Sequence, residues 1–233
     1  MACVEAQADG NFKAFPAPMR RSNRPFPEAS AHKNVLETRM TSPIIEFLLS
    51  RSSVPINELQ EPGPSDAEIA IIIKAASRVP DHGRLAPWRF ILYRGDVRSQ
   101  IGEKLAALAE QREGPLPEGR RNQELTRFSR APLVIGVVSS PKDNPKIPQW
   151  EMFLSAGMAA MNLAHAANAL GYRTNMVTNW YSDVPEGRAI LGLAPHERVV
   201  GFVHIGSFTG TVTERPRPEV SQLYSDYTGP WEG

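Results

Sequence analysis

The longest apolar pattern in the chain runs from residue 150 to residue 170. Large apolar residues alternate there with many alanines and no proline interrupts them, so the pattern predicts a helix. Because apolar residues extend nearly all round this central helix, we expect it to be buried rather than half-exposed. Gly171 comes next and suits a left-handed helix end, and residues 174–178 are typical of a strand.

One face of the central helix carries mostly small side chains at a spacing of three or four residues: Ala156, Ala159, Ala160, Leu163 and Ala167. Small side chains let a second helix approach closely, but the sequence suggests no mate for this face within the chain. We therefore expect it to pack against the same helix of a second copy across a two-fold axis. The alternative is that this face lies in the core of its own subunit.

The rest of the pattern alternates shorter helices and strands. Helices are predicted at residues 43–51, 65–76, 96–108, 123–128 and 184–191, and strands at residues 89–93, 133–138 and 199–205. Residues 133–138 are continuously apolar, so this strand should be central in its sheet. Interspersed helices and about four strands predict the α+β class, with a mixed β-sheet flanked by helices and a long buried central helix.

Both ends of the chain differ from this pattern. Residues 1–40 are polar, rich in proline and without an apolar period, which predicts a disordered extension; an arginine cluster leaves an organelle transit peptide as the alternative. Residues 41–233 should form one domain that includes an extended C-terminal arm from about residue 211. This arm carries four large apolar residues, Val220, Leu223, Tyr224 and Trp231, so we expect it to wrap onto something, such as a second subunit.

Composition excludes several classes of function. The net charge of +1 gives no electrostatic case for binding nucleic acid or an anionic membrane, and no apolar run reaches the length of a membrane span. The only cysteine, Cys3, excludes disulfides and cysteine-based zinc sites, which fits a reducing, cytoplasmic location. The five histidines show no metal-ligand spacing, so we expect no metal.

No nucleophile elbow, P-loop or dinucleotide fingerprint is present, and an enzyme without such motifs often takes its chemistry from a cofactor. Three groups of cations suit a bound phosphate. They are Arg51 with Ser52 and Ser53, then Arg78 with His82 and Arg84, and finally Arg215 with Arg217. The alternatives are a solvated helix end, a rigid turn with surface charges and a charged linker, respectively.

Six segments, in this order, resemble the nitroreductase family and its compact bacterial branch: LLSRSS, VPDHGRLAPWRF, RAPLVIGVV, KIPQWEMFLSAGMAAMNLAHAANALGYRTNMVT, VVGFVHIG and RPRP. The resemblance runs from about Met40 to about Pro218. It implies a nitroreductase-like fold, bound FMN and reduction by NADH or NADPH of a small electron-poor acceptor such as a nitroaromatic or a quinone, with ping-pong kinetics. It also implies a homodimer with two FMN sites at the subunit interface and termini that embrace the partner.

The resemblance also implies roles by position. FMN binding falls on Arg51, Ser52, Ser53, Arg78, His82, Met176, Val177, Thr178, Arg215 and Arg217, and nicotinamide-cofactor contact on Ala166, Ala167, Asn168, Ala169, Leu170 and Gly171. No catalytic side chain is expected, because FMN carries the chemistry. Two departures stand out: Ser52 replaces the second arginine of the family's Arg-Arg-Ser motif, and Arg84 and Ala86 replace an asparagine and a glutamine of the larger nitroreductases.

Two other readings remain open. One is a different flavin chemistry on the same scaffold, such as dehalogenation or flavin fragmentation. The other is a flavin-binding module without enzyme activity, because the Arg-Arg-Ser motif has lost one charge at Ser52.

Overall fold

A computed structural model describes residues 42–230 of the chain. The predicted N-terminal extension and Trp231 lie outside these residues. The chain divides into two units between Glu46 and Phe47, and the second unit contains the sheet and the helices around it.

Six α-helices and four strands make up the described range, residues 42–230. The helices are α1 (Pro43–Ser50), α2 (Asp66–Ala76), α3 (Val97–Glu113), α4 (Glu118–Thr126), α5 (Gln149–Ala169) and α6 (Pro185–Ile190). The strands are β1 (Trp88–Tyr93), β2 (Leu133–Ser139), β3 (Arg173–Val177) and β4 (Arg198–Gly206). Each predicted helix and strand is present. A capping box forms at the start of α2, where the side chains of Ser65 and Glu68 each accept a hydrogen bond from the other's backbone N–H.

The sheet has the strand order β1-β2-β4-β3, and every neighbouring pair of these described strands is antiparallel. This confirms the α+β class, whereas the mixed pairing that the sequence suggested is absent from these four strands. The reason is topological. Helix α5 connects β2 to a β3 that runs parallel to it, but β4 lies between these two strands and is antiparallel to both. Strand β2 is an inner strand of this sheet, as predicted, and it is buried along its whole length.

The inner face of α5 packs within its own chain. Its small residues, Ala156, Ala159, Ala160, Leu163 and Ala167, are at most 1% exposed. Three of them share a core with Ile69, Ile72 and Ala76 of α2 and with residues of β2 and β4. The mate that the sequence did not reveal is therefore α2 together with the sheet. Our expectation that this face meets a second copy is wrong, and the alternative of a core position holds.

The opposite face of α5 is exposed. Five large apolar side chains, Trp150, Phe153, Leu154, Met158 and Met161, form what we call the outer stripe, and each is between 38% and 63% exposed in this chain. The expected all-round burial of α5 is therefore wrong. The two faces of α5 therefore differ: the small residues pack into the core, and the large ones form an apolar surface that is exposed in a single chain.

A second core on the other side of the sheet is aromatic. The ring of Phe128 lies between Tyr93, Tyr181 and Phe202 at centroid distances of 5.1 to 5.8 Å. His204 of β4 is 1% exposed beside this cluster, and its Nδ1 atom has no hydrogen-bond partner in the described part of the chain. Burial, together with the positive charge of Arg130, lowers the pKa of His204 to about 3.

This histidine should make the fold sensitive to mild acid. The unfolded chain protonates His204 below its ordinary pKa of 6.5, whereas the folded chain does not until about pH 3. The unfolded state therefore binds the extra proton in this window, and stability falls as the pH falls. From pH 7 to pH 5 we expect His204 to account for a loss of about 2 kcal/mol in the free energy of unfolding.

Urea unfolding of the wild type and of His204→Leu at both pH values measures this effect. Because the other histidines and the carboxylates are common to both proteins, the difference between them isolates His204. Equal losses of stability in the two proteins would contradict the assignment.

Candidate functional site

The predicted phosphate-binding segment lies directly after α1 and is fixed to β3. The backbone N–H of Val54 donates to the Thr174 carbonyl at 3.2 Å, and the side-chain amide of Asn175 donates to the Val54 carbonyl at 2.7 Å. Ser52 is 3% exposed, and its hydroxyl oxygen lies 3.5 Å from Nη2 of Arg217 in the C-terminal arm. The structure thus brings together two of the three cation groups that the sequence singled out, although they lie 165 residues apart.

A cavity of about 340 Å³ opens beside this contact, and we call it the arginine cavity. It is lined by Phe47, Ser50, Arg51, Ser52, Asn168, Ala169, Gly171, Arg173 and Val212. The end of α5 and the turn after it form one wall, where Gly171 has the left-handed φ of 93° that its sequence position predicted. Arg173 did not figure among the predicted site residues.

Positive charge dominates the arginine cavity. Within residues 42–230, Arg51 and Arg173 form no ion pair, whereas Arg217 is paired with Glu214 at 2.7 Å. The hydrogen bond from Arg217 holds the pKa of Glu214 below its usual range, and Arg51 contributes to this. Burial, with Arg51 nearby, lowers the pKa of His165. Guanidinium groups and a hydroxyl around a cavity are the donors that a phosphate dianion prefers.

Arg78 and His82 belong to a loop that packs along the N-terminal two-thirds of α5. Nδ1 of His82 lies 2.8 Å from the Glu151 carboxylate, and the Arg78 carbonyl accepts a hydrogen bond of 3.0 Å from Asn162. Glu151 and Asn168 are 17 residues apart on α5, which corresponds to about 25 Å at the helical rise. His82 and the arginine cavity of one chain therefore lie at opposite ends of the helix.

The same loop holds an unusual backbone. Gly83 has a φ of 70°, and the non-glycine residues Arg84 and Ala86 have φ values of 56° and 45°. The carboxylate of Asp81 accepts hydrogen bonds from the N–H groups of Leu85, at 3.1 Å, and Ala86, at 2.8 Å, which stabilises the turn. Left-handed residues other than glycine cost free energy, and they concentrate at functional sites. An asparagine would tolerate this conformation better than Arg84 does.

The segment expected to line the flavin ring ends strand β3. Met176 and Thr178 are exposed, and Val177 is half-buried. Strand β4 carries Gly201 beneath Met176: a Cβ atom added there would lie 2.7 Å from Cγ of Met176. The glycine therefore leaves room for the Met176 side chain to lie across β4.

The remaining predicted residues are divided. Ser53 and Arg215 line a separate cavity of about 150 Å³ with Phe208 and Val212, and neither lines the arginine cavity. Of the segment expected to contact the nicotinamide cofactor, Ala166 is half-buried, Ala167 and Asn168 are buried, and Ala169, Leu170 and Gly171 are exposed. The Asn168 amide donates to the Ala164 carbonyl and to Thr174 Oγ1, which leaves it little capacity for a ligand.

A larger cavity of about 510 Å³ adjoins the N-terminal end of α5, and no sequence motif pointed to it. It is lined by Ser139, Pro141, Gln149, Trp150, Phe153, Leu154, His196 and Arg198.

Within residues 42–230, no three His, Cys, Asp or Glu side chains are grouped as metal ligands. A search of these same residues finds no helix that could cross a bilayer.

Comparison with known proteins assigns the family. The sequence profile of the nitroreductase family matches residues 53–207. The Escherichia coli K12 protein YdjA, provisionally named an NAD(P)H nitroreductase, is 32% identical over 167 residues, which cover 70% of this chain and 87% of YdjA.

Solved structures agree on the fold. A nitroreductase-like protein from Bacillus cereus superposes with a TM-score of 0.68 at 20% identity, over 81% of this chain and 97% of that one. A Bacteroides fragilis nitroreductase with bound FMN gives a TM-score of 0.61 at 18% identity, over 80% of this chain and 100% of that one. The profile match and the similarity to YdjA confirm the resemblance seen in the sequence: the chain belongs to the nitroreductase family.

Proposed function

We propose that this chain is an FMN-dependent oxidoreductase that uses NADH or NADPH to reduce electron-poor acceptors such as nitroaromatics and quinones. The arginine cavity is the observation that carries this proposal. Arg51 and Ser52 line this cavity next to β3, and the guanidinium of Arg217 in the arm contacts the Ser52 hydroxyl. These donors fit the phosphate of FMN. The name of YdjA and the FMN bound in the Bacteroides fragilis nitroreductase support the same reading.

In this proposal, the protein binds and orients the cofactor. Arg51 and Arg217 would hold the phosphate, while Met176, Val177 and Thr178 would lie against the flavin ring. When bound, FMN would supply the redox chemistry, in which hydride passes from NAD(P)H to the acceptor by a ping-pong sequence. The exposed residues Ala169, Leu170 and Gly171 are the part of the predicted nicotinamide segment that a reductant can reach.

The proposed active form is a homodimer built on the outer stripe of α5. The stripe leaves five large apolar side chains exposed in one chain, and the arm adds exposed Val220, Leu223 and Tyr224. In a two-fold pair with antiparallel α5 helices, the N-terminal half of one helix faces the C-terminal half of the other. His82 of one chain, with the loop that carries Arg78, then approaches the arginine cavity of the partner, which accounts for the distance of His82 from that cavity within its own chain.

Spectroscopy of the purified protein tests the proposed activity. We expect a yellow protein with FMN absorbance, bleached by anaerobic NADH or NADPH and restored by a nitroaromatic or a quinone. Bound flavin that neither reductant bleaches would point to a binding module without enzyme activity. Bleaching without turnover of either acceptor class would point to a different flavin chemistry. A colourless protein with no affinity for FMN would contradict the proposal as a whole.

Arg51→Ala should weaken FMN binding more than Ser52→Ala does. A charge-assisted hydrogen bond contributes roughly 1.5–3 kcal/mol and a neutral one about 1 kcal/mol, so we expect an increase in the FMN dissociation constant of about 10- to 100-fold for Arg51→Ala against about 5-fold for Ser52→Ala. Flavin fluorescence titration of the apoprotein measures both. Arg94→Ala, an exposed arginine outside the arginine cavity, is the control. Equal dissociation constants for the two variants would count against the role of Arg51.

A further inference from the structure

Arg173 adds a guanidinium to the arginine cavity from a different part of the chain. The sequence has lost one arginine of the Arg-Arg-Ser motif at Ser52, yet the cavity beside Ser52 is also lined by Arg173. We propose that Arg173 binds the FMN phosphate and supplies the positive charge that Ser52 lacks. This inference rests on the proposed function and names a further residue of the same site.

The position of Arg173 suits this role. It is the first residue of β3, directly after the turn that ends α5, and it pairs in register with Gly206 at the end of β4. Its Nη1 atom donates to the Tyr172 carbonyl at 3.1 Å. This single bond fixes the guanidinium against its own backbone. A guanidinium has five N–H donors, so most of them remain available to a ligand.

The two arginines that line the cavity come from separate elements, and a third lies next to Ser52. Arg51 follows the end of α1 and Arg173 begins β3, while Arg217 of the arm contacts the Ser52 hydroxyl. Arg217 is ion-paired with Glu214, whereas no carboxylate of the described residues pairs with Arg51 or Arg173. Arg51 and Arg173 should therefore contribute most to the binding of a dianionic phosphate, because neither has to break an ion pair first. Arg173 is only half-buried, so its charge also reaches solvent at the cavity mouth.

Two phosphates could exploit this chemistry, that of FMN and the 2′-phosphate of NADPH. The contact between Ser52 and Arg217 places the cavity within the predicted FMN set, so we assign Arg173 to FMN. Riboflavin has the same ring without the phosphate. Loss of a phosphate contact therefore weakens binding of FMN but not of riboflavin, whereas a general effect on the site weakens binding of both. Comparing NADPH with NADH shows in the same way whether the 2′-phosphate of NADPH is the group that is bound.

The experiment compares Arg173→Ala, Arg173→Lys and a control, Arg112→Ala, by titrating each apoprotein with FMN and with riboflavin. Arg112 is an exposed residue in the last turn of α3, and it does not line the arginine cavity. We expect Arg173→Ala to raise the FMN dissociation constant by about 10- to 100-fold and that of riboflavin by less than about 2-fold. The FMN affinity of Arg173→Lys should lie between those of the wild type and Arg173→Ala, because lysine keeps the positive charge but loses the planar guanidinium fork, and Arg112→Ala should match the wild type.

Other results overturn the inference. If wild type binds FMN and Arg173→Ala binds it equally well, the role of Arg173 is wrong while the proposed function stands. An equal loss of FMN and riboflavin affinity would assign Arg173 a structural role instead. A raised KM for NADPH alone, with FMN affinity unchanged, would assign Arg173 to the reductant. A wild type that binds no FMN would remove the proposed function and this inference together.

Discussion

Ala160→Glu is expected to abolish folding of the chain. Ala160 is 1% exposed, and it lies in the core that α5 shares with α2 and the sheet. A carboxylate there has no room and no partner, and an unpaired buried charge costs several kcal/mol before the strain of overpacking is added. This cost is comparable to the whole free energy of unfolding of a domain, about 5–15 kcal/mol. Soluble yield, circular dichroism and urea unfolding measure the effect.

Ala70→Glu is the matched control for this prediction. It makes the same substitution within a helix, α2, at an exposed position, so it should leave the fold within about 0.5 kcal/mol of the wild type. If Ala160→Glu were instead well folded and only monomeric, the inner face of α5 would belong to a subunit interface after all.

Met161→Glu, one residue further along α5, is expected to separate the subunits without unfolding them. Met161 belongs to the outer stripe and is 38% exposed, so a carboxylate there stays in water in a single chain. Across a two-fold apolar interface, two such charges would be buried close together, which should raise the dimer dissociation constant by about 100- to 1000-fold. Because the proposed FMN site takes residues from both subunits, bound flavin should be lost with the dimer.

Sedimentation and flavin absorbance of the soluble protein decide this second prediction. Met158→Glu on the same stripe should behave alike. Val97→Glu, which replaces an exposed apolar residue at the start of α3, should remain a yellow dimer. A folded Met161→Glu monomer with stoichiometric FMN would contradict the two-subunit site.

The periodicity of apolar residues was enough to predict which segments are helices and strands, but not which face of α5 is inside. Small alanines and large residues such as Trp150 and Met158 look equally apolar in the sequence. Burial depends on the neighbour: α2 fits only against the small side, because close approach of two helices requires short side chains there. The face with the large side chains is left exposed and can pack against another surface. A single sequence does not distinguish the core of a chain from an interface.

The candidate site shows the same division between local and tertiary information. Arg51 and Arg217 stand in recognisable motifs, and the structure places both segments beside the arginine cavity. Arg173 is an isolated arginine at the start of a strand, with no local pattern to single it out. The left-handed conformations of Arg84 and Ala86 were equally hidden, because these residue types rarely adopt them and only the contacts of Asp81 stabilise them here.

The long sequence separation between Ser52 and Arg217 has a consequence for the order in which the protein matures on the ribosome. Domains fold as they are synthesised, N-terminal parts first, and the arm leaves the ribosome only after all four strands have emerged. The Ser52 side of the arginine cavity thus lacks its contact with the arm during synthesis, even when the sheet has formed. A nascent chain arrested after β4 should therefore be protected from protease across the sheet before the contact between Arg217 and Ser52 can form.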